Sequence, residues 1–214
     1  MDFKEFPVTM LLIAINVVVS LIGFNSNKTI TDLIMWPYGV KRSRQYYRFI
    51  TSGFIHADFI HLFFNMFTLY SFGSAVERYF KYYDLGGTAS YIALYMLGLI
   101  ISDLPTYFKQ QDNSGYRSLG ASGAVSAVVF ACLLFSPWST IGIYGIPLPF
   151  LAYAILYLIY CVYMSKRGGG NINHDAHLWG SLFGLVFTAA AMLVLSPGLL
   201  GQALNALVHP PFLR

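Results

Sequence analysis

The sequence predicts an all-α polytopic membrane protein, and three observations predict it. Hydrophobic residues make up 57% of the chain and charged residues 10%, against about 25% charged in an average soluble domain. A soluble fold of 214 residues has too little interior to hide so much apolar surface. The charges are spaced so that long uncharged runs lie between them. Those runs are continuously apolar, not alternating, which excludes barrel strands. Helices are then the one way to pair every backbone N–H and C=O inside lipid.

The charges divide the chain into six candidate spans, at about 7–24, 58–77, 87–105, 119–136, 147–164 and 176–195. The run from Ser118 to Ser165 is long enough for two of them, with the turn signal "SPWSTIGIYGIPLP" between. Residues 25–57 form a long first loop rich in aromatics and cations, the composition of a segment lying in the interfacial zone. After Ser196, leucines at 199, 200, 204 and 207 suggest a short amphipathic surface helix. The whole reads as one membrane domain over residues 1–214. The first apolar run follows Lys4 and Glu5 and lacks a small-x-small cleavage site, so it reads as a retained span. The net charge of +4 is assigned to basic residues beside lipid headgroups, not to a nucleic-acid partner. Cys132 and Cys161 lie in apolar stretches and read as packing residues, with no disulfide and no metal between them.

Polar residues at membrane depth are costly and mark function. Three clusters stand out. "HADFIHLFFNM" opens the second span with His56, His61 and Asn65; the last two are four apart and share a helix face. "GASG" opens the fourth with Gly120, Ser122 and Gly123. "HDAHLWGSLFG" opens the sixth with His174, His177, Gly180 and Gly184. Each has a bland reading as a packing surface or an interhelical hydrogen bond. Together they say more. His177, Gly180 and Gly184 lie on one face, so that face is narrow beside the histidine, and the GASGA surface is equally narrow. Spans two, four and six run in the same direction, so all three clusters start on one side of the membrane. Close packing of the two narrow faces would bring the Ser122 hydroxyl within reach of the His177 imidazole, the nucleophile and general base of acyl transfer. His61 and Asn65 would supply donors to an oxyanion.

These residues resemble the rhomboid family of intramembrane serine proteases, from about Tyr47 to Gly184. "YYRFITSGFIHADFIHLFFNM" is similar to the family's signature running from first loop to second span, with Arg48, His56, His61 and Asn65 at matching positions. "GSAVE" matches its G-x-x-x-E through Gly73 and Glu77, "GASG" its nucleophile motif, and "AHLWGSLFG" its A-H-x-x-G-x-x-x-G. The resemblance implies a six-transmembrane-helix rhomboid-like bundle with a water-filled cavity, needing no cofactor and no metal. Ser122 and His177 would form a catalytic dyad, with His61, Asn65 and the Ser122 N–H holding the oxyanion. Arg48, His56, Gly73, Glu77, Gly120, Gly123, Gly180 and Gly184 would support them. It implies single-span transmembrane proteins as substrates, and the fifth span with its following loop as the substrate gate, here about 147–173. The expected address is a bacterial inner membrane. Asp175 lies about 200° around the helix from His177 and is not a third member.

Two features depart from simple expectation. Some bacterial members carry an aromatic residue four positions after the nucleophile, stacked on the catalytic imidazole; here that position is Ser126. In the family's orientation nine cations lie outside and four inside, against the positive-inside rule. The competing readings are a proteolytically inactive rhomboid-like protein that binds membrane clients, and a small transporter. No acidic relay crosses the spans to serve a transporter, and no H-E-x-x-H marks a metalloprotease.

Overall fold

The computed structural model describes residues 6–143, 146–168, 170 and 172–211. Ten helices carry the fold among the described residues. They are α1 Pro7–Phe24, α2 Asn27–Leu33, α3 Pro37–Ser43, α4 Arg48–Thr51, α5 Phe59–Tyr82, α6 Gly87–Gln110, α7 Ser122–Leu133, α8 Phe150–Arg167, α9 His174–Leu195 and α10 Pro197–Val208. Between α7 and α8, where a turn was expected, strands β1 Thr140–Ile143 and β2 Ile146–Pro149 form an antiparallel hairpin. Its tip, Tyr144 and Gly145, lies outside the described residues.

Helices α1, α5, α6 and α9 are long and apolar enough to cross a membrane. Their large apolar side chains point outward: Leu11 and Val18 on α1, Phe63, Phe64 and Phe67 on α5, Val186 and Val194 on α9 are all exposed. The interior holds an apolar cluster that includes Leu69, Tyr91, Leu94, Tyr95 and Phe130, and small polar groups share it, with Asn16, Ser20, Ser102, Ser126, Ser181 and Thr188 buried. Large apolar side chains on the outside and small polar ones at helix contacts inside are the distribution of a lipid-facing bundle.

Helix α7 is the hub. It packs against α5, α6, α8 and α9, with α9 running along it most extensively. Every residue of α7 after Ser122 is buried. At 12 residues it is about 18 Å long, well short of the ~30 Å hydrocarbon core. The span expected from residue 119 therefore begins at Ser122, below an irregular approach segment.

Three anchors hold the outer elements. Pro7 opens α1, where its missing N–H costs nothing. The next two N–H groups, of Val8 and Thr9, donate to Glu77 Oε1 and Oε2 at 3.2 and 2.8 Å, and the Thr9 hydroxyl donates to Oε2 at 2.8 Å. Glu77 thus caps α1 with a fully buried carboxylate, and Lys81 pairs with it at 2.9 Å. A π-helical turn, Leu69–Gly73, interrupts α5 and is not visible in the sequence pattern. Gly73 ends that turn, and a Cβ there would lie 2.5 Å from the Tyr91 hydroxyl and 3.2 Å from Thr9 Cγ2. In the first loop, Arg48 is buried and donates to the carbonyls of Thr31 and Ile34 at 2.9 and 2.6 Å and to Gln45 Oε1 at 2.6 Å. It is a staple for α2, α3 and α4, not a free interfacial cation.

Candidate active site

The approach to Ser122 is fixed by backbone. Met35 and Ser118 exchange N–H···O bonds of 3.0 and 3.2 Å, and Gly120 N donates to Ser52 O at 2.9 Å. Gly120 adopts φ +116°, a region favouring glycine. A Cβ there would also lie 2.6 Å from His61 Cε1 and 2.8 Å from Nε2. Gly120 thus makes room for the His61 ring, which rests against the segment leading into Ser122.

Gly123 makes room for the Ser102 side chain of α6, while its carbonyl lies against α9. A Cβ on Gly180 would fall on the Gly123 carbonyl, and one on Gly184 on the Ala127 carbonyl. Helices α7 and α9 therefore meet backbone to backbone along a glycine–alanine seam. Ser122 is one residue before that seam on α7 and His177 one turn before it on α9, so both stand at the same end. Among the described residues Ser122 Oγ makes no hydrogen bond to His177. The seam brings the helices together without closing the expected bond, and catalytic bonds in a substrate-free site are often long.

The His177 ring has a partner the sequence did not reveal. Tyr157 of α8 stacks on it, with centroids 6.3 Å apart and planes 19° from parallel. The Tyr157 hydroxyl hydrogen-bonds Ser126 Oγ at 3.2 Å. The missing aromatic at position 126 is thus replaced by one from the neighbouring helix, and Ser126 tethers it. No spacing rule singles out Tyr157 among the tyrosines of α8. Asp175 points elsewhere, accepting from Lys109 Nζ at 3.1 Å and from the Ser165 hydroxyl.

His56 lies just outside α5. Its Nδ1 is 2.9 Å from Ser20 Oγ of α1, and its ring meets His61 edge to face at 5.0 Å. Asp58 is the cap of α5, accepting from His61 N at 2.7 Å. Burial pushes His56 down to about 3, the neighbouring His61 adds to this, and Asp58 opposes it. His61 Nδ1 accepts from Ala57 N at 3.4 Å, and Asn65 Nδ2 donates to His61 O at 3.0 Å. Asn65 keeps its second amide hydrogen for another acceptor.

Behind Ser122 lies a cavity of about 20 Å³ bordered by Ser102, Asp103, Ser118, Gly120 and Asn173, room for a single water. Asn173 caps α9 through Ala176 N at 3.1 Å and accepts from the Thr106 hydroxyl at 3.0 Å. These polar neighbours come from α6 and the turn before α9, and the sequence reading did not connect them to the serine.

A polytopic helical bundle with a serine and a histidine at one end of its central seam defines the class: a membrane protein with an internal polar site. The family follows from comparison. A model of the Rhomboid domain matches residues 43–195, and the chain belongs to that family. RHOMBOID-like protein 12, mitochondrial, of Arabidopsis thaliana is 31% identical over 150 residues, 65% of this chain and 45% of its own length. Presenilin-associated rhomboid-like protein A, mitochondrial, of Danio rerio is 32% identical over 140 residues, 64% of this chain and 35% of its own. Rhomboid protease GluP of Bacillus subtilis is 27% identical over 206 residues, 94% of this chain and 38% of its own. The chain thus matches less than half the length of each of these curated relatives.

Proposed function

We propose that the chain is an intramembrane serine endopeptidase cleaving single-span transmembrane proteins. The observation that carries the reading is the α7–α9 seam, which sets Ser122 and His177 at one end of two touching helices. In this mechanism Ser122 Oγ attacks the scissile carbonyl while His177 takes its proton. The oxyanion is held by the His61 ring, the free Asn65 N–H and the Ser122 backbone N–H, whose place in the first turn of α7 leaves it without an intrahelical acceptor. His177 then returns the proton to the leaving amine, and a water repeats the sequence to release the acyl group. Stacking by Tyr157 holds the imidazole plane in place of a third catalytic member.

The proposal takes all six major helices, α1 and α5–α9, as spans and residues 1–214 as one domain. Pairing of Lys41 with Asp112 and Lys109 with Asp175 neutralises part of the outer cation excess, and Arg48 is buried as a structural hydrogen-bond donor, which fits the family's orientation. The chain is an integral, multi-pass membrane protein. A bacterial inner-membrane address gains no support from relatives that include mitochondrial proteins.

The alternative is a rhomboid-like protein that binds membrane clients without cutting them, and the open Ser122–His177 pair is the observation on its side. The test is purified protein with a model single-span substrate in detergent. Wild type should cleave, and Ser122→Ala and His177→Ala should not. Stable binding of the helix without cleavage by wild type would support the alternative, and cleavage surviving Ser122→Ala would overturn the nucleophile.

A further inference from the structure

His177 has a second set of neighbours that hydrolysis does not use. Cys161 of α8, His174 and His177 place one ligand atom each within 4.8 Å of one another. His174 and His177 are three apart on α9 and so share a face. Cys161 is fully buried opposite them, and His174 is 7% exposed. His174 Nδ1 is buried without a hydrogen-bond partner among the described residues. A buried, unpartnered imidazole nitrogen is costly unless something binds it. Neither Cys161 nor His174 has a part in the acyl-transfer scheme.

We propose that Cys161, His174 and His177 form a binding site for a borderline-soft divalent cation, Zn²⁺ above all, and that occupancy switches the protease off. Thiolate and imidazole are the donors such ions select over Mg²⁺ or Ca²⁺. Three donors with an open fourth position is a common zinc arrangement. Bonds of about 2.0–2.3 Å place tetrahedral donors roughly 3.5 Å apart, so the three atoms need to close by about 1 Å, which side-chain rotation supplies. Coordination replaces the thiol proton with the metal and releases that proton to solvent, with no change of oxidation state. The His177 nitrogen that binds the metal loses its lone pair as a base. The inhibition rests on the reading of His177 as general base; the metal site does not.

Two measurements keep these apart. Co²⁺ titrated into full-length Ser122→Ala protein in detergent should give a saturable thiolate-to-cobalt absorption band at one ion per chain, displaced by Zn²⁺. Cys161→Ser should lose the band, and His174→Ala should weaken binding by at least the ~10–100-fold typical of disturbing even an outer-shell partner. In cleavage assays ZnCl₂ should inhibit wild type reversibly, with activity restored by EDTA. Cys161→Ser and Cys161→Ala, checked for unchanged melting, should cut without metal as wild type does and need at least about tenfold more Zn²⁺ for inhibition. No cobalt band in the Ser122→Ala protein, or equal zinc sensitivity in wild type and both Cys161 variants, overturns the site. A band in the Ser122→Ala protein together with a wild type that never cleaves upholds the site and overturns the protease reading.

Discussion

Tyr157 lies over the His177 imidazole, centroids 6.3 Å apart and planes 19° from parallel, although the two residues come from different helices. The ring is held there by Ser126, at the position from which some relatives would themselves supply an aromatic. Helix α8 is thereby coupled to the general base. Tyr157→Phe keeps the stack and loses only the tether, so its cleavage rate should stay within about threefold of wild type. Tyr157→Ala removes a contact worth about 0.5–1.5 kcal/mol, which is a loss of roughly 2–12-fold in kcat if it acts in the transition state. Equal kcat in wild type and the alanine variant would leave Tyr157 a packing residue.

The α7–α9 seam has no room for a Cβ at Gly180 or Gly184. Gly180→Ala should lower stability in detergent by about 1–3 kcal/mol through overpacking against the Gly123 carbonyl. Gly201 of α10 faces open space, so Gly201→Ala is the matched control and should be neutral or gain up to about 1 kcal/mol. The pair of melting curves decides whether the glycines are a seam or merely a composition.

Glu77 accepts from the first turn of α1 and sits inside the bundle with no exposed surface. Glu77→Ala strands those N–H groups and the Thr9 hydroxyl, a loss of about 1–3 kcal/mol for each buried polar group left unsatisfied. Glu77→Gln retains an acceptor and should lose less. Limited proteolysis near residue 24 would report detachment of α1 in the first variant and not in the second.

Protonation of His56 is resisted in the folded state, where burial brings it from 6.5 to about 3. The unfolded chain therefore binds a proton that the folded one refuses between those values, and stability falls as pH drops through that window. Above about 6.5 both states are neutral and the contribution is complete. His61 and Asp58 are the titratable groups facing it, and Ser20 is its partner on α1. Melting temperature of wild type should decline more steeply on acidification than that of His56→Asn. Parallel curves would contradict the assignment.

Much of this was legible from residue patterns. Uncharged apolar runs mark where the long helices lie, because lipid forbids both charge and unpaired backbone. Gly180 and Gly184 are legible at i and i+4, since helical period alone puts them on the His177 face. Other features depend on contacts between distant segments. The shortness of α7 follows from Gly120 turning to φ +116° against His61, a contact across about 60 residues of chain. The π turn at Leu69–Gly73 has no sequence period. Tyr157 and Cys161 look like two more apolar positions in α8 until α9 is laid against them. Asp103 stands in the sequence only as the charge that ends the third apolar run, yet it borders the cavity behind Ser122.

The central claim is that Ser122 is a nucleophile made reactive by His177. A fluorophosphonate, which esterifies only an activated serine, tests it without any choice of substrate. The account predicts one label per chain, mapped by mass spectrometry to Ser122, absent in Ser122→Ala and strongly slowed in His177→Ala. Labelling of another serine, or labelling of Ser122 at the same rate without His177, would contradict it.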